Sequence, residues 1–120
     1  MIPRYLPNTE VERLAIQAVR LHEKRRLGLH SVHEVRKAPN KSGYDLVSGD
    51  RKIEVKGTQG TRCFQQLCIS GKPEFDNLRD DGWLYRVTGV GSGRPKVLEL
   101  KGDRLRLVRE KRWRVAQKKK

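Results

Sequence analysis

Gly49-Asp50 separates two short runs, Gly43-Tyr44-Asp45-Leu46-Val47-Ser48 and Arg51-Lys52-Ile53-Glu54-Val55-Lys56-Gly57. A two-residue hairpin loop with Gly first suits a type II′ turn, whose twist matches that of the strands it joins. That turn would set the register. Ser48 pairs with Arg51, and Asp45 falls opposite Glu54. Side chains alternate faces along a strand. Asp45, Glu54 and Lys56 therefore share one face, while Tyr44, Leu46, Ile53 and Val55 point the other way, into a core.

Like charges directly opposite across two strands are destabilising, so something must offset Asp45 against Glu54. A divalent cation would do so, because Mg²⁺ takes one or two carboxylates plus waters and phosphate oxygens. Lys56, diagonal to Asp45, would also do so with no metal, as a cross-strand ion pair on a solvated face. The residues alone leave both readings open.

The same residues carry a resemblance. Asp45 followed by Glu54-Val55-Lys56 resembles the site motif of the PD-(D/E)XK nucleases, which include restriction endonucleases and archaeal Holliday junction resolvases. Gly43-Tyr44-Asp45-Leu46 with Ile53-Glu54-Val55-Lys56-Gly57 more narrowly resembles the domain at the C-terminal end of the plant NO VEIN protein. Upstream, Val11-Glu12-Arg13-Leu14-Ala15-Ile16 and His22-Glu23-Lys24 fit its helix with an acid near each end. Downstream, Leu67-Cys68-Ile69-Ser70, Glu74 and Trp83-Leu84-Tyr85-Arg86-Val87 are similar to its later strand, helix start and strand. The resemblance spans roughly residues 9 to 90, and Tyr44 stands where the superfamily name has proline. It implies an α/β fold with a restriction-endonuclease-like core, a mixed central β-sheet flanked by helices. It also implies Asp45 and Glu54 as metal ligands, helped by the Val55 carbonyl, Lys56 as the catalytic lysine, and Glu12 or Glu23 as an accessory acid.

Charge points to the partner. The chain has 28 Lys or Arg against 14 Asp or Glu, a net +14 in 120 residues, and a pI near 10.4. Ten of those cations and two acids lie in the last twenty residues. A basic tail of this kind is the footprint of a nucleic-acid binder, whose affinity would fall steeply with salt. A solubilising tail is the plain alternative. No basic amphipathic helix with an aromatic face marks a membrane surface. With no long apolar run and no charged-then-apolar leader in Met1 to Pro7, the expected location is the cytoplasm. Cys63 and Cys68 match no zinc spacing.

The length predicts one domain over 1–117, with a disordered basic tail at 118–120. Thr9 followed by Glu12 reads as a capping box, and apolar positions 11, 14, 15, 18, 19 and 22 follow the helical period. Glu12 could serve that cap or reach the polar face of the hairpin. Residues 30–37 read as a weak strand in which His30 and His33 face apart. Gly57-Thr58-Gln59-Gly60-Thr61-Arg62 follows Lys56 directly, and loops often carry contacts. Thr58, Gln59, Thr61 and Arg62 are therefore candidate phosphate contacts, though a plain Gly-rich loop would read the same. Phe64 to Ile69 reads as a strand. Ser70 and Pro73 open a helix that ends near Asp81-Gly82. Trp83 to Val87 and Lys96 to Leu100 read as strands. Residues 105–115 alternate only in part, and Arg112 and Arg114, flanking Trp113, are further nucleic-acid candidates.

These readings converge on a Mg²⁺- or Mn²⁺-dependent endonuclease acting on double-stranded or branched DNA, with a homodimer as the expected assembly. The alternatives are a catalytically silent binding module of the same fold and a basic RNA-binding protein. Few aromatics and no RNA-recognition signature argue against the last.

Overall fold

A computed structural model of the chain describes residues 5–28, 35–39, 43–61, 66–69, 71–109 and 113–118. The first element is helix α1 (Asn8–Leu27). It starts one residue before the expected cap. The Pro7 carbonyl accepts the Glu10 and Val11 amides, each at 3.0 Å, and no side chain caps the helix. Thr9 thus lies within the first turn, and the expected capping box does not form. Pro7 sits in extended geometry at φ −58° and ψ 152°. Its ring fixes φ in that range.

Strands β1 (Val35–Lys37), β2 (Leu46–Ser48) and β3 (Arg51–Gly57) follow. The β2–β3 ladder pairs Leu46 with Ile53, Val47 with Lys52 and Ser48 with Arg51, which is the register the turn predicts. Gly49 takes φ 58° in that turn. The chain then passes through β4 (Gln66–Cys68) and helix α2 (Lys72–Asp81) and returns as β5 (Gly82–Thr88), parallel to β3. A parallel return needs a crossover of this kind. β6 (Lys96–Lys101) closes the main sheet, in the order β1-β2-β3-β5-β6. After a single 3₁₀ turn (Gly102–Arg104), β7 (Leu105–Arg109) and β8 (Trp113–Gln117) form a hairpin. β4 joins neither neighbour in the main sheet. It pairs with β8, giving a second sheet in the order β4-β8-β7. The fold is thus mixed α/β, a five-stranded mixed sheet with two helices and a small second sheet, consistent with a restriction-endonuclease-like core.

Two apolar clusters flank the main sheet. Ala15 and Val19 of α1 meet Ile53, Val55, Tyr85 and Val87 on one face. Phe75 and Leu78 of α2 meet Leu84, Leu100, Leu105 and Val115 on the other. Fully burying a side chain of this size contributes about 1.5–3 kcal/mol, so the strand pattern alone decides which face each helix covers. Tyr44 departs from expectation. It packs with the α2 cluster, and its hydroxyl donates to the Asn77 carbonyl at 2.8 Å. Alternation fails there because residues 43–45 precede the strand, with Gly43 at φ 83°. No helix among the described residues is long and apolar enough to cross a membrane.

Gly57 sets the spacing between α1 and β3. A Cβ at this position would lie 2.6 Å from the Ala15 Cβ and 3.6 Å from the Val11 carbonyl oxygen. Gly57→Ala therefore forces the helix off the strand. The expected cost is about 1–3 kcal/mol, the usual range for overpacking. Urea unfolding checks it, and an unchanged midpoint would show that the helix can slide at no cost.

Candidate functional site

The site forms where α1, α2 and the start of β2 converge on β3. Glu54 is in register with Leu84, which packs under α2, so Glu54 and Lys56 emerge on the α2 side of the sheet. Asp45 sits just ahead of β2. Its amide donates to the Ile53 carbonyl at 2.9 Å, and its Oδ2 accepts the Val55 amide at 2.8 Å. The carboxylate thus occupies a place in the ladder that a backbone carbonyl would otherwise fill. The N–H and C=O of one strand residue point the same way. The Val55 carbonyl therefore also lies on the β2 side, past the last pair of that ladder.

Asp45, Glu54 and Lys56 line two adjoining cavities. One, of about 500 Å³, is completed by Tyr44, Cys68, Pro73, Glu74 and Asn77 among others. The second, of about 250 Å³, is completed by Asn8, Val11, Glu12, Val55 and Gly57. Glu12 of α1 and Glu74 of α2 thus approach the same three residues from opposite sides of β3. Glu74 is 12% exposed, and its Oε1 lies 3.8 Å from Lys56 Nζ.

Crowding these acids has an electrostatic consequence. Burial, hydrogen bonding with Asp45 and with Glu74, and the Asp45 charge push the Glu54 carboxyl up to about 10, against a smaller opposing pull from Lys56. Like charges in a desolvated site cannot all ionise. A divalent cation would remove the conflict, and carboxylates with a backbone carbonyl are the oxygen donors that Mg²⁺ and Mn²⁺ prefer.

The family model described as Protein NO VEIN, C-terminal, matches residues 11–100. The chain belongs to the NO VEIN C-terminal family. No curated protein and no solved structure matches it. The family match spans Glu12, Asp45, Glu54, Lys56 and Glu74 alike.

Other expected residues fall elsewhere. Glu23 is not at this site. Eleven residues after Glu12 in α1, it stands about 16 Å away at 1.5 Å per residue. It is fully buried, where Arg26 donates to it at 2.7 and 2.9 Å and the Tyr85 hydroxyl at 2.9 Å. Among the described residues, His22, Glu23 and Glu99 form a group of potential metal ligands within 4.8 Å of one another. Arg26 and Arg51 already pair with those carboxylates. The Gln59 side-chain oxygen accepts the Leu6 amide at 2.9 Å, and the Thr58 hydroxyl accepts the Gly60 amide at 3.3 Å, so both also shape the loop. Thr61 is exposed, and Arg114 lies on β8. Arg62, Arg112, Cys63, Ser70, His30 and His33 lie outside the described residues.

Glu74 is the site acid that sequence reasoning treated only as the start of a helix. Its signal was its position after Pro73 in the crossover that returns to β5, but where a crossover helix lands is a tertiary matter. The raised Glu54 pKa also has a measurable sign. Without a cation the folded chain holds a proton that the unfolded chain releases, so stability falls as pH rises from about 4.5 toward 10. In EDTA the wild-type urea midpoint is expected to fall across that window more than that of Glu54→Gln. Equal pH slopes in the two proteins would mean that Glu54 is ionised throughout.

Proposed function

We propose that this chain is a metal-dependent endonuclease of the PD-(D/E)XK type, hydrolysing phosphodiester bonds in DNA. The observation that carries the reading is the convergence of Asp45, Glu54 and Lys56 on two shared cavities, with Glu12 and Glu74 on either side. Asp45, Glu54 and the Val55 carbonyl would hold Mg²⁺ or Mn²⁺. Bound there, the cation supplies the acidification of a water and neutralises charge on the phosphate. Asp45 is held by the Val55 amide through Oδ2, which fixes its carboxylate beside Glu54 for that role. Lys56 is a half-exposed ammonium on the cavity wall. It donates hydrogen bonds to the attacking water or to a phosphate oxygen, and opposes the negative charge that builds there. Glu12 and Glu74 accept protons or orient water from the α1 and α2 sides.

The test is incubation of the protein with labelled linear, supercoiled, flapped and four-way DNA in Mg²⁺, Mn²⁺ or EDTA. Metal-dependent cutting is expected, and the preferred substrate defines the specificity. Binding without cutting in every metal would overturn the enzymatic reading in favour of a silent nucleic-acid-binding module.

A further inference from the structure

The second sheet does more than cover the α2 cluster. Its inner side is set by Val115 and Leu105, which belong to the α2 cluster, and by Leu67 and Leu107, which pack against that cluster. Register then sorts the outer side. Val115 pairs with Leu67 and with Leu107. The positions on either side of it, Cys68, Arg114 and Val108 in one row and Ala116 and Arg106 in the other, belong to the opposite face, because side chains alternate, with Ala116 itself buried there. Arg106 and Cys68 are exposed, and Arg114 is half-buried. Lys118 continues the alternation of Arg114 and Ala116. It is exposed, and its amide donates to the Arg104 carbonyl at 2.7 Å, extending the β7–β8 pairing by one step. The three strands QLC, LRLVR and WRVAQ contain no acid.

This basic face is continuous with the candidate site. Cys68 lines the cavity that holds Asp45, Glu54, Lys56 and Glu74, and it is the direct strand partner of Arg114. Diagonal neighbours on one face of such a sheet stand about 7–8 Å apart. Arg114, Arg106 and Lys118 thus form a row of cations leading away from the cavity rim, at a spacing that suits successive backbone phosphates. An acidic protein surface would also be attracted, but the site it leads into gathers carboxylates, which repel an acidic protein unless a cation and a phosphate lie between them.

We infer that the outer face of the β4-β8-β7 sheet is the surface on which the phosphate backbone of the nucleic acid lies as it enters the site. The inference rests on the nuclease reading for the identity of the ligand, but it concerns binding and not cutting. The sheet face supplies affinity without sequence choice, since phosphate contacts position and base contacts specify.

Binding is read by fluorescence anisotropy of a labelled 20-base-pair DNA duplex in EDTA, where no metal-dependent cutting interferes. Wild type is compared with the triple variant Arg106→Gln, Arg114→Gln, Lys118→Gln, and with the double variant Arg106→Gln, Lys118→Gln, which spares half-buried Arg114. A control variant, Lys24→Gln with Arg25→Gln, removes charge from exposed positions of α1. Each lost phosphate contact lowers the slope of log K against log[salt] by about 0.9. The triple variant is expected to bind at least tenfold more weakly with a slope lower by roughly 2–3, and the control to bind like wild type. If both sheet variants bind like wild type, or the control loses as much as they do, the surface is elsewhere and the nuclease reading stands. A wild-type protein that binds the duplex but never cuts it, with weakened sheet variants, supports the surface and counts against the enzyme. A wild type that binds neither this duplex nor an RNA of the same sequence overturns both.

Discussion

Lys56→Ala is expected to lower DNA cleavage by at least about 10³-fold, the scale on which positioned acid–base and charge-stabilising groups act, while duplex affinity in EDTA stays within about twofold of wild type. Among the described residues lining the two cavities, Lys56 is the one cation. No other described residue on the cavity walls replaces it when charge builds on the phosphate. Lys56→Arg is expected to recover little, because a planar guanidinium cannot take the place of a compact ammonium. Asp45→Ala and Glu54→Ala are expected to lose cleavage as well, for a different reason: they remove oxygen donors. Asp45→Ala also leaves the Val55 amide without its acceptor and should lower stability, which separates it from the other two. The readout is initial cleavage rate beside anisotropy and thermal unfolding. Normal turnover in all three variants would end the nuclease reading.

Glu23→Ala is expected to destabilise the fold by about 1–3 kcal/mol, the usual cost of leaving a buried hydrogen-bonding group, here the Tyr85 hydroxyl, without its acceptor. Glu23 is fully buried. Burial pushes its carboxyl up, but hydrogen bonds from Arg26 and Tyr85 outweigh that, and the net shift is downward. The network extends further. Arg51 donates to the Tyr85 hydroxyl at 2.6 Å and to Glu99 at 2.5 Å, and it stacks 3.7 Å above the Trp83 ring. His22 lies 2.6 Å from Glu99. Removing Glu23 strands the buried Tyr85 hydroxyl, while Arg26 keeps access to water. Glu23→Gln keeps an acceptor for Tyr85 and should cost less. Because this network stands about 16 Å along α1 from Glu12, Glu23→Gln is expected to cut DNA normally at temperatures where it is folded. Chemical denaturation and cleavage assays on the same samples check both halves. A loss under about 1 kcal/mol for Glu23→Ala would mean that water replaces the carboxylate.

The hairpin was legible because its two determinants are local. Gly49-Asp50 fixes the turn, and a period of two then fixes which residues share a face. Even so, the Asp45 contact came out differently in kind. The sequence read it as a strand neighbour of Glu54, whereas Asp45 stands outside β2 and reaches the Val55 amide with its side chain. Tyr44 failed for the same reason, since alternation holds only within a strand. The pairing of β4 with β8 spans almost fifty residues of chain, and no local pattern announces it. Glu12 and Glu23 looked equivalent as acids at the two ends of one helix. Only packing separates them, with one end of α1 set over the end of β3 by the Gly57–Ala15 approach and the other closed over Tyr85.

β3 is bonded along both flanks, antiparallel to β2 and parallel to β5, with the Asp45 carboxylate latching its outer end. A strand held on both sides does not fray by itself, because exposing its amides requires both ladders to part, and such segments exchange only when the whole unit opens. Glu54, Val55 and Lys56 therefore belong to the part of the molecule that opens least. A partly unfolded form, with its ends or its outer strands peeled away, would keep the centre intact. Any perturbation that does reach the centre would melt the domain along with it.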